Sequence, residues 1–416
     1  MTNDGWTGKT RPKALVIGGS MAGLFAALLL RREGWKVDVY ERIGAELAGR
    51  GAGIVTHREL FEVLGRAGID TEAAAVGVAV PGRRVLDGRG HVEGELKLRQ
   101  VLTSWGHLYG LLRAAFPAEN YHHGKNLVDI AEIDDRVVAR FSDGSQASGD
   151  LLIGADGIFS CVRAQLAADV RPRYAGYVAW RGLVEERKLS RRTRAELCDW
   201  FAFSLPPGEQ MLGYPVAGVN EEMDVGERRF NFVWYRPADS GHGLADLLTD
   251  IDGVRHDLSI PPIRIRPDVI AAMRRDAERL LAPQFAEVVR LTHQPFIQAI
   301  LDLETSRMVL GPRTVILGDA AFVARPHVGM GVTKAAGDAA ALVDVLRAHP
   351  RDLAAALAKF ESTRLPFGAA VVRRARDLGA YMQAQIATAE ERAMAERHRS
   401  PEAVMAETAV TTGIAA

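Results

Sequence analysis

Residues 14–42, ALVIGGSMAGLFAALLLRREGWKVDVYER, decide the fold. They open on Ala14-Leu15-Val16-Ile17, an apolar run without alternation, as a parallel strand buried on both faces requires. A glycine turn follows, Gly18-Gly19-Ser20-Met21-Ala22-Gly23, and then a Leu- and Ala-rich helix that Gly34 stops. A second strand, Val37-Asp38-Val39-Tyr40, delivers Glu41 and then Arg42. A carboxylate about 20 residues beyond such glycines is the layout of a dinucleotide site. Glycines let the backbone approach a pyrophosphate, and the helix N-terminus offers free N–H groups and a positive dipole end. Glu41 is placed to accept a hydrogen bond from a ribose hydroxyl. Ser20 replaces the middle glycine of G-x-G-x-x-G, so the register of strand, helix and acid carries the assignment.

The same stretch has a rival reading. Ala14 to Leu30 holds no charge and follows Arg11 and Lys13, which gives it the length of a short membrane span or a signal peptide. Glycines at 18, 19 and 23 argue against both. The remaining composition is that of an ordinary α/β protein with ample core: 416 residues, 48% hydrophobic, 25% charged. A formal net charge of +0 gives no global field toward nucleic acid or an acidic membrane. Cys161 and Cys198 form no C-x-x-C pair, which fits a reduced, cytoplasmic setting. His122 and His123 are adjacent, a spacing that points metal ligands apart, so no metal is expected.

Two further turns echo the first. Asp150 to Ile153 runs into Gly154-Ala155-Asp156-Gly157, with a helix beginning near Ser160 and carrying Arg163 in its first turn. An acid held at a strand end suits polyol or phosphate contacts, while Cys161 reads as packing. Thr314 to Leu317 leads into Gly318-Asp319-Ala320-Ala321, then Arg325-Pro326-His327, then Gly329-Met330-Gly331-Val332-Thr333-Lys334 and an alanine-rich helix. Lys334 falls where a helix dipole disfavours a cation, as either a site residue or a solvated lysine. Arg50, in the glycine-rich loop 44–53, either reaches a phosphate or ring edge of a bound dinucleotide or faces solvent. Between these turns, Val78 to Leu98 reads as hairpin strands broken at Pro81-Gly82 and Asp87-Gly88. Long β runs at 177–184, 210–216 and 230–235 read as a mostly antiparallel sheet whose aromatic residues can line a cleft. Residues 351–400 are charged and helical, a packing or dimer element.

Three such turns in this order resemble the single-component flavoprotein aromatic hydroxylases, the family of p-hydroxybenzoate hydroxylase, over roughly Lys13 to Tyr381. Asp156-Gly157 with Ser160 and Arg163 matches the family's D-G-x-x-S-x-V-R motif, and Gly318-Asp319 with Pro326 its second FAD motif. Tyr174 to Val178, Trp180-Arg181-Gly182 and Tyr214-Pro215 look most like members acting on hydroxypyridines. The resemblance implies a Rossmann-type α/β FAD domain (1–75, 100–172, 285–345), an inserted antiparallel substrate domain (76–99, 173–284) and C-terminal helices (346–416). Gly18, Ser20, Gly23 and Glu41 would hold adenosine and pyrophosphate, with Met21, Ala22, Arg42, Arg50, Gly53, Asp156, Arg163 and Gly318 in the same cofactor set. Asp319 would bind the ribityl chain, Pro326 would lie beside the isoalloxazine, and Gly329, Gly331, Val332 and Thr333 would face its pyrimidine edge. Two departures stand out: Trp105 where many members have Arg, and Gly329–Thr333 in place of G-x-G-x-N.

The implied activity is NAD(P)H- and O2-dependent hydroxylation of an electron-rich aromatic ring, through a flavin hydroperoxide, in a possible homodimer. A hydroxylated ring reacts better when deprotonated, so a base or proton relay is expected. His327, beside Pro326, is the first candidate, followed by His57 and Tyr214. An FAD oxidase or dehydrogenase and a non-catalytic flavin sensor are the rivals. A halogenase is disfavoured because Trp180 lacks the partner of a W-x-W-x-x-P signature.

Overall fold

The computed structural model describes residues 11–47, 53–71, 76–411 and 414. Lys13–Ile17 is a central strand of a six-stranded sheet and runs parallel to Leu151–Gly154 on one side and Lys36–Tyr40 on the other. Val309–Gly311 and Thr314–Ile316 extend one edge, and Tyr121–His122 closes the other. Neighbours on both edges and elements on both faces leave Ala14, Leu15 and Val16 without solvent exposure, hence the unbroken apolar run.

The helix Met21–Arg32 is buried without interruption from Met21 to Leu30, because the sheet covers one side and the helix Gly331–Ala348 packs on another. A helix covered all round has no polar stripe, which is why its sequence looked like a membrane span. Among the described residues no helix is long and apolar enough to cross a membrane.

A nine-stranded sheet forms the second layer. Its order is Phe322–Val323, Phe296–Glu304, Arg173–Glu185, Arg229–Pro237, Gln210–Val216, Phe201–Ser204, Val78–Leu86, Val92–Ser104, Gly53–Val55. All pairings are antiparallel except Phe201–Ser204 with Val78–Leu86. Period-two alternation sorts its faces. Trp180, Phe232 and Trp234 pack with Phe285 and Val288 of a covering helix, whereas Ala179, Tyr214, Val233 and Tyr235 face the other way. A three-stranded meander, Leu127–Ile133, Arg136–Phe141 and Gln146–Gly149, completes the β structure.

Several expectations are revised. Pro81-Gly82 does not break its strand; the ladder shifts register there and continues, and the chain reverses at Asp87–Gly90. Sheet pairing also crosses the expected domain limits. Gly53–Val55, the end of Val92–Ser104, Phe296–Glu304 and Phe322–Val323 hydrogen-bond into the nine-stranded sheet, although they fall in segments assigned to the FAD domain. After the helix Leu353–Gly379 the chain does not stay one helix but turns at Ala380–Met382 and forms Ala389–His398 and Pro401–Glu407.

Candidate active site

The C-terminal ends of Lys13–Ile17, Lys36–Tyr40 and Leu151–Gly154 open on a cleft of about 390 Å³, where an open α/β sheet binds ligands. Gly18 has φ +101° and donates its N–H to Tyr40 O at 2.9 Å; a Cβ there would lie 2.4 Å from Ala155 O. At Gly23 a Cβ would lie 1.9 Å from Gly18 O, and at Gly19 it would lie 2.1 Å from the Tyr121 hydroxyl. The tight approach is thus at Gly19 rather than at the next position, which explains how Ser20 is tolerated. The first intrahelical bond runs from Leu24 N to Ser20 O, leaving the N–H groups of Met21, Ala22 and Gly23 without intrahelical acceptors. Ser20, Met21 and Ala22 line the cleft; Gly23 packs behind it.

Glu41 is buried, accepting from Gly19 N and Ile43 N at 2.9 Å each. It therefore braces the glycine turn and keeps spare acceptor capacity on each oxygen. Arg42 lines the cleft beside it, as does Trp105, which stacks on Tyr109 with ring centroids 5.0 Å apart. Asp156 caps the helix Cys161–Leu166, its Oδ2 accepting from Cys161 N and Val162 N at 2.6 and 3.2 Å. Its Oδ1 is buried on the cleft wall without a partner among the described residues, and burial raises its pKa.

Arg163 does not reach the cleft, contrary to expectation. Its guanidinium donates to the carbonyls of Ala320, Ile158 and Val170, so it holds the 318–320 turn from behind. Gly318 is a packing position as well, where a Cβ would lie 2.9 Å from that of Ala22. Arg50 lies outside the described residues.

Asp319 is half exposed into the cleft yet walled in closely enough that desolvation raises its pKa, against the lowering effect of Lys334. Lys334 is not a solvated lysine. It is 1% exposed, its Nζ lies 3.9 Å from Asp319 Oδ1 and 4.0 Å from Asp338 Oδ2, and it makes no hydrogen bond among the described residues. Asp338 is already engaged by Arg364 and by Gly318 N.

A second cavity, of about 350 Å³, adjoins the first and shares Asp319, Gly331 and Val332 with it. One wall is the inner face of the nine-stranded sheet, with Arg181, Tyr214, Val233 and Tyr235; Gly53, Pro326 and Gly329 also line it. Gly53 is required by Tyr214, whose ring would lie 2.3 Å from a Cβ. Gly329, at φ +65°, admits Ala409, which with Thr408 closes the cavity from the C-terminal side. Burial raises the Tyr214 phenol and pushes that of Tyr235 up to about 12, while Arg181 acts to lower both.

The two histidines are placed otherwise than expected. His327 lies one layer behind the wall, 2% exposed, with Nε2 2.8 Å from the Tyr177 hydroxyl and its ring against Tyr235. Burial, then Arg325 and Arg181, push its pKa down to about 3, so it is neutral. The reason is local: in the short turn Pro326–Val328, consecutive side chains point apart, Pro326 toward the cavity and His327 into the core. His57 pairs with the Thr333 hydroxyl at 3.0 Å and with Ala409 O at 3.3 Å, a tie between three segments rather than a cavity residue. Thr333 is committed to that tie. Sequence reasoning took in Tyr235 only as one aromatic of a run able to line a cleft, gave Arg181 no role, and missed Thr408 and Ala409 altogether. Arg181 did leave a signal: a charge alternating with Trp180 in an apolar strand faces the opposite side of the sheet.

Two joined chambers, one with a glycine turn, a helix N-terminus and an unpartnered Asp156 oxygen, the other walled by apolar and phenolic side chains, fit FAD and an aromatic ring. The comparisons agree: residues 11–208 match the family model described as FAD binding domain, and residues 174–302 match FAD binding domain-like. The chain belongs to the FAD-dependent aromatic monooxygenases, an enzyme family in which NAD(P)H is the typical co-substrate. It is 34% identical over 381 residues, 90% of this chain and 92% of the relative, to 2,6-dihydroxypyridine 3-monooxygenase of Paenarthrobacter nicotinovorans. The solved structure of 2,6-dihydroxypyridine-3-hydroxylase from Arthrobacter nicotinovorans superposes with TM-score 0.83 at 33% identity, covering 90% of this chain and 93% of that one. Klebsiella pneumoniae HpxO complexed with FAD and uric acid gives 0.73 at 26% identity, covering 92% and 93%.

Proposed function

We propose that this monooxygenase hydroxylates an electron-rich nitrogen heteroaromatic of the hydroxypyridine type, with NAD(P)H as reductant. The observation that carries the reading is the junction at Asp319, Gly331 and Val332, where a dinucleotide cleft opens directly into a ring-sized chamber. The likeness to the dihydroxypyridine enzyme supports the ring class.

In this reading the N–H groups of Met21 and Ala22 hold the pyrophosphate, and Glu41 and Arg42 hold the adenosine side. Asp319 accepts from the ribityl chain. Gly331 and Val332, at the N-terminus of the helix Gly331–Ala348, present a positive dipole end to the pyrimidine edge. When bound, FAD supplies the electron transfer and oxygen insertion that no side chain can perform. The chain contributes placement and dryness: Phe201, Leu212, Val233 and the Thr408–Ala409 segment keep water from the ring. Tyr235 and Tyr214, with raised pKa values, are neutral phenols at physiological pH and can orient ring oxygens by hydrogen bonding. A cytoplasmic homodimer accompanies the reading; sedimentation of the purified protein decides the assembly.

The test is NADH and NADPH oxidation by the purified yellow protein against hydroxypyridines and phenols, with 18O2 incorporation scored in the product. Labelled product from a hydroxypyridine is expected. Stimulated oxidation without labelled product, or product from phenols alone, would reject the ring class.

A further inference from the structure

Arg181 is a cation in the ring chamber that no carboxylate among the described residues neutralises. It sits mid-strand in Arg173–Glu185, directly opposite Val233 on one side and Phe296 on the other. Strand register puts Val233, Tyr235, Leu212 and Tyr214 on the same face, around it. Its Nε is buried without a hydrogen-bond partner, and no carboxylate pairs with it among the described residues. The other arginine lining the chamber, Arg325, is satisfied by Asp302 at 3.0 Å and Gln383 at 2.6 Å. Among the described residues the carboxylate that borders the chamber is Asp319, which answers electrostatically to Lys334 and Asp338. The groups facing Arg181 are the phenols of Tyr214 and Tyr235, with the neutral imidazole of His327 behind them. None is an anion at neutral pH.

An unpaired guanidinium in a largely apolar chamber is a costly arrangement unless the ligand brings the counter-charge. A planar fork of N–H donors matches an in-plane oxygen anion. We propose that Arg181 selects ring substrates carrying one negative charge on an in-plane oxygen, and holds them as the anion. This rests on the hydroxylase reading and sharpens it. An anionic hydroxy-heteroaromatic is already the electron-rich form, so no base within the chamber is required, in keeping with the absence of a facing carboxylate or histidine among the described residues.

The experiment is equilibrium binding to the FAD-loaded enzyme, followed by the ligand's own ultraviolet spectrum and by calorimetry. The probes are 2,6-dihydroxypyridine, a benzoate without a ring hydroxyl, and neutral pyridine and aniline. Wild type is expected to bind the hydroxypyridine with the spectrum of its anion at a pH below its free pKa. R181M and R181Q should lose roughly tenfold or more in affinity for it, with neutral rings little changed and FAD content retained; R181K should recover part. A benzoate bound with equal dependence on Arg181 would identify an appended carboxylate as an alternative source of the same charge. A neutral bound spectrum, affinity unchanged in R181M and R181Q, or no preference for anionic rings in wild type overturns the proposal. If hydroxypyridines fail to bind but another anionic ring binds through Arg181, the ring class falls and Arg181's role stands. If hydroxypyridines are turned over equally by R181Q, the role falls and the ring class stands.

Discussion

His327 and Lys334 are sealed in the interior for opposite reasons, and each makes a measurable demand. His327 has its pKa depressed to about 3, against about 6.5 in an unfolded chain. The folded protein therefore prefers the neutral ring, and the associated stability is present above about pH 6.5 and is lost as pH falls toward 3. Each pH unit in that window costs up to about 1.4 kcal/mol. Urea unfolding at pH 7.5 and 5.5 should show a smaller acid loss in His327→Gln by about 1 kcal/mol; an identical loss would contradict the burial argument. Burial raises the pKa of Asp319, and Lys334, 3.9 Å away, opposes that rise. Lys334→Met should weaken FAD binding by about tenfold, and more at low pH as Asp319 takes up a proton, a difference fluorescence titration can read. The glycine turn and Glu41 were legible as residues because backbone geometry dictates them. His327 misled because sequence adjacency carries no information on where a side chain points, and Arg163 because its motif does not say whether its guanidinium faces the cleft or the turn behind it.

At the level of elements, the strand–turn–helix unit was readable because every position obeys one local rule. Gly18→Ala tests it: a methyl at φ +101°, 2.4 Å from Ala155 O, should cost about 1–3 kcal/mol and release FAD. Thermal melts and flavin retention check this. The sheet alternation was readable too, but the faces could not be assigned to chamber or core until strand order was known. The segment after Glu407 was not readable at all, since its wall position depends on long-range bonds. Arg83, wholly buried, donates to Met405 O and Thr408 O at 2.6 Å each, and Ala409 N donates to His327 O at 2.7 Å. Ending the chain at Glu407 removes Thr408 and Ala409, and should raise reductant oxidation without ring product, measured as hydrogen peroxide released, while FAD stays bound. Unchanged coupling would show that the segment is no barrier.

Across the whole molecule, the chain returns repeatedly to both sheets. The six-stranded sheet takes strands from residues 13 to 316 and the nine-stranded sheet from 53 to 323. The class of fold was legible from three turn motifs, but the division into units was not, because pairing partners are distant in sequence. That same dispersal has a consequence for biosynthesis. The cleft needs Asp319 and Gly331, and the ring chamber needs Ala409, so a chain emerging from the ribosome passes through a stage at which the cofactor could settle before the chamber has its last wall. Transcripts cut short near the 3′ end would then yield a coloured, cofactor-bearing protein that leaks reducing power, a burden on the cell unlike that of a chain that merely fails to fold.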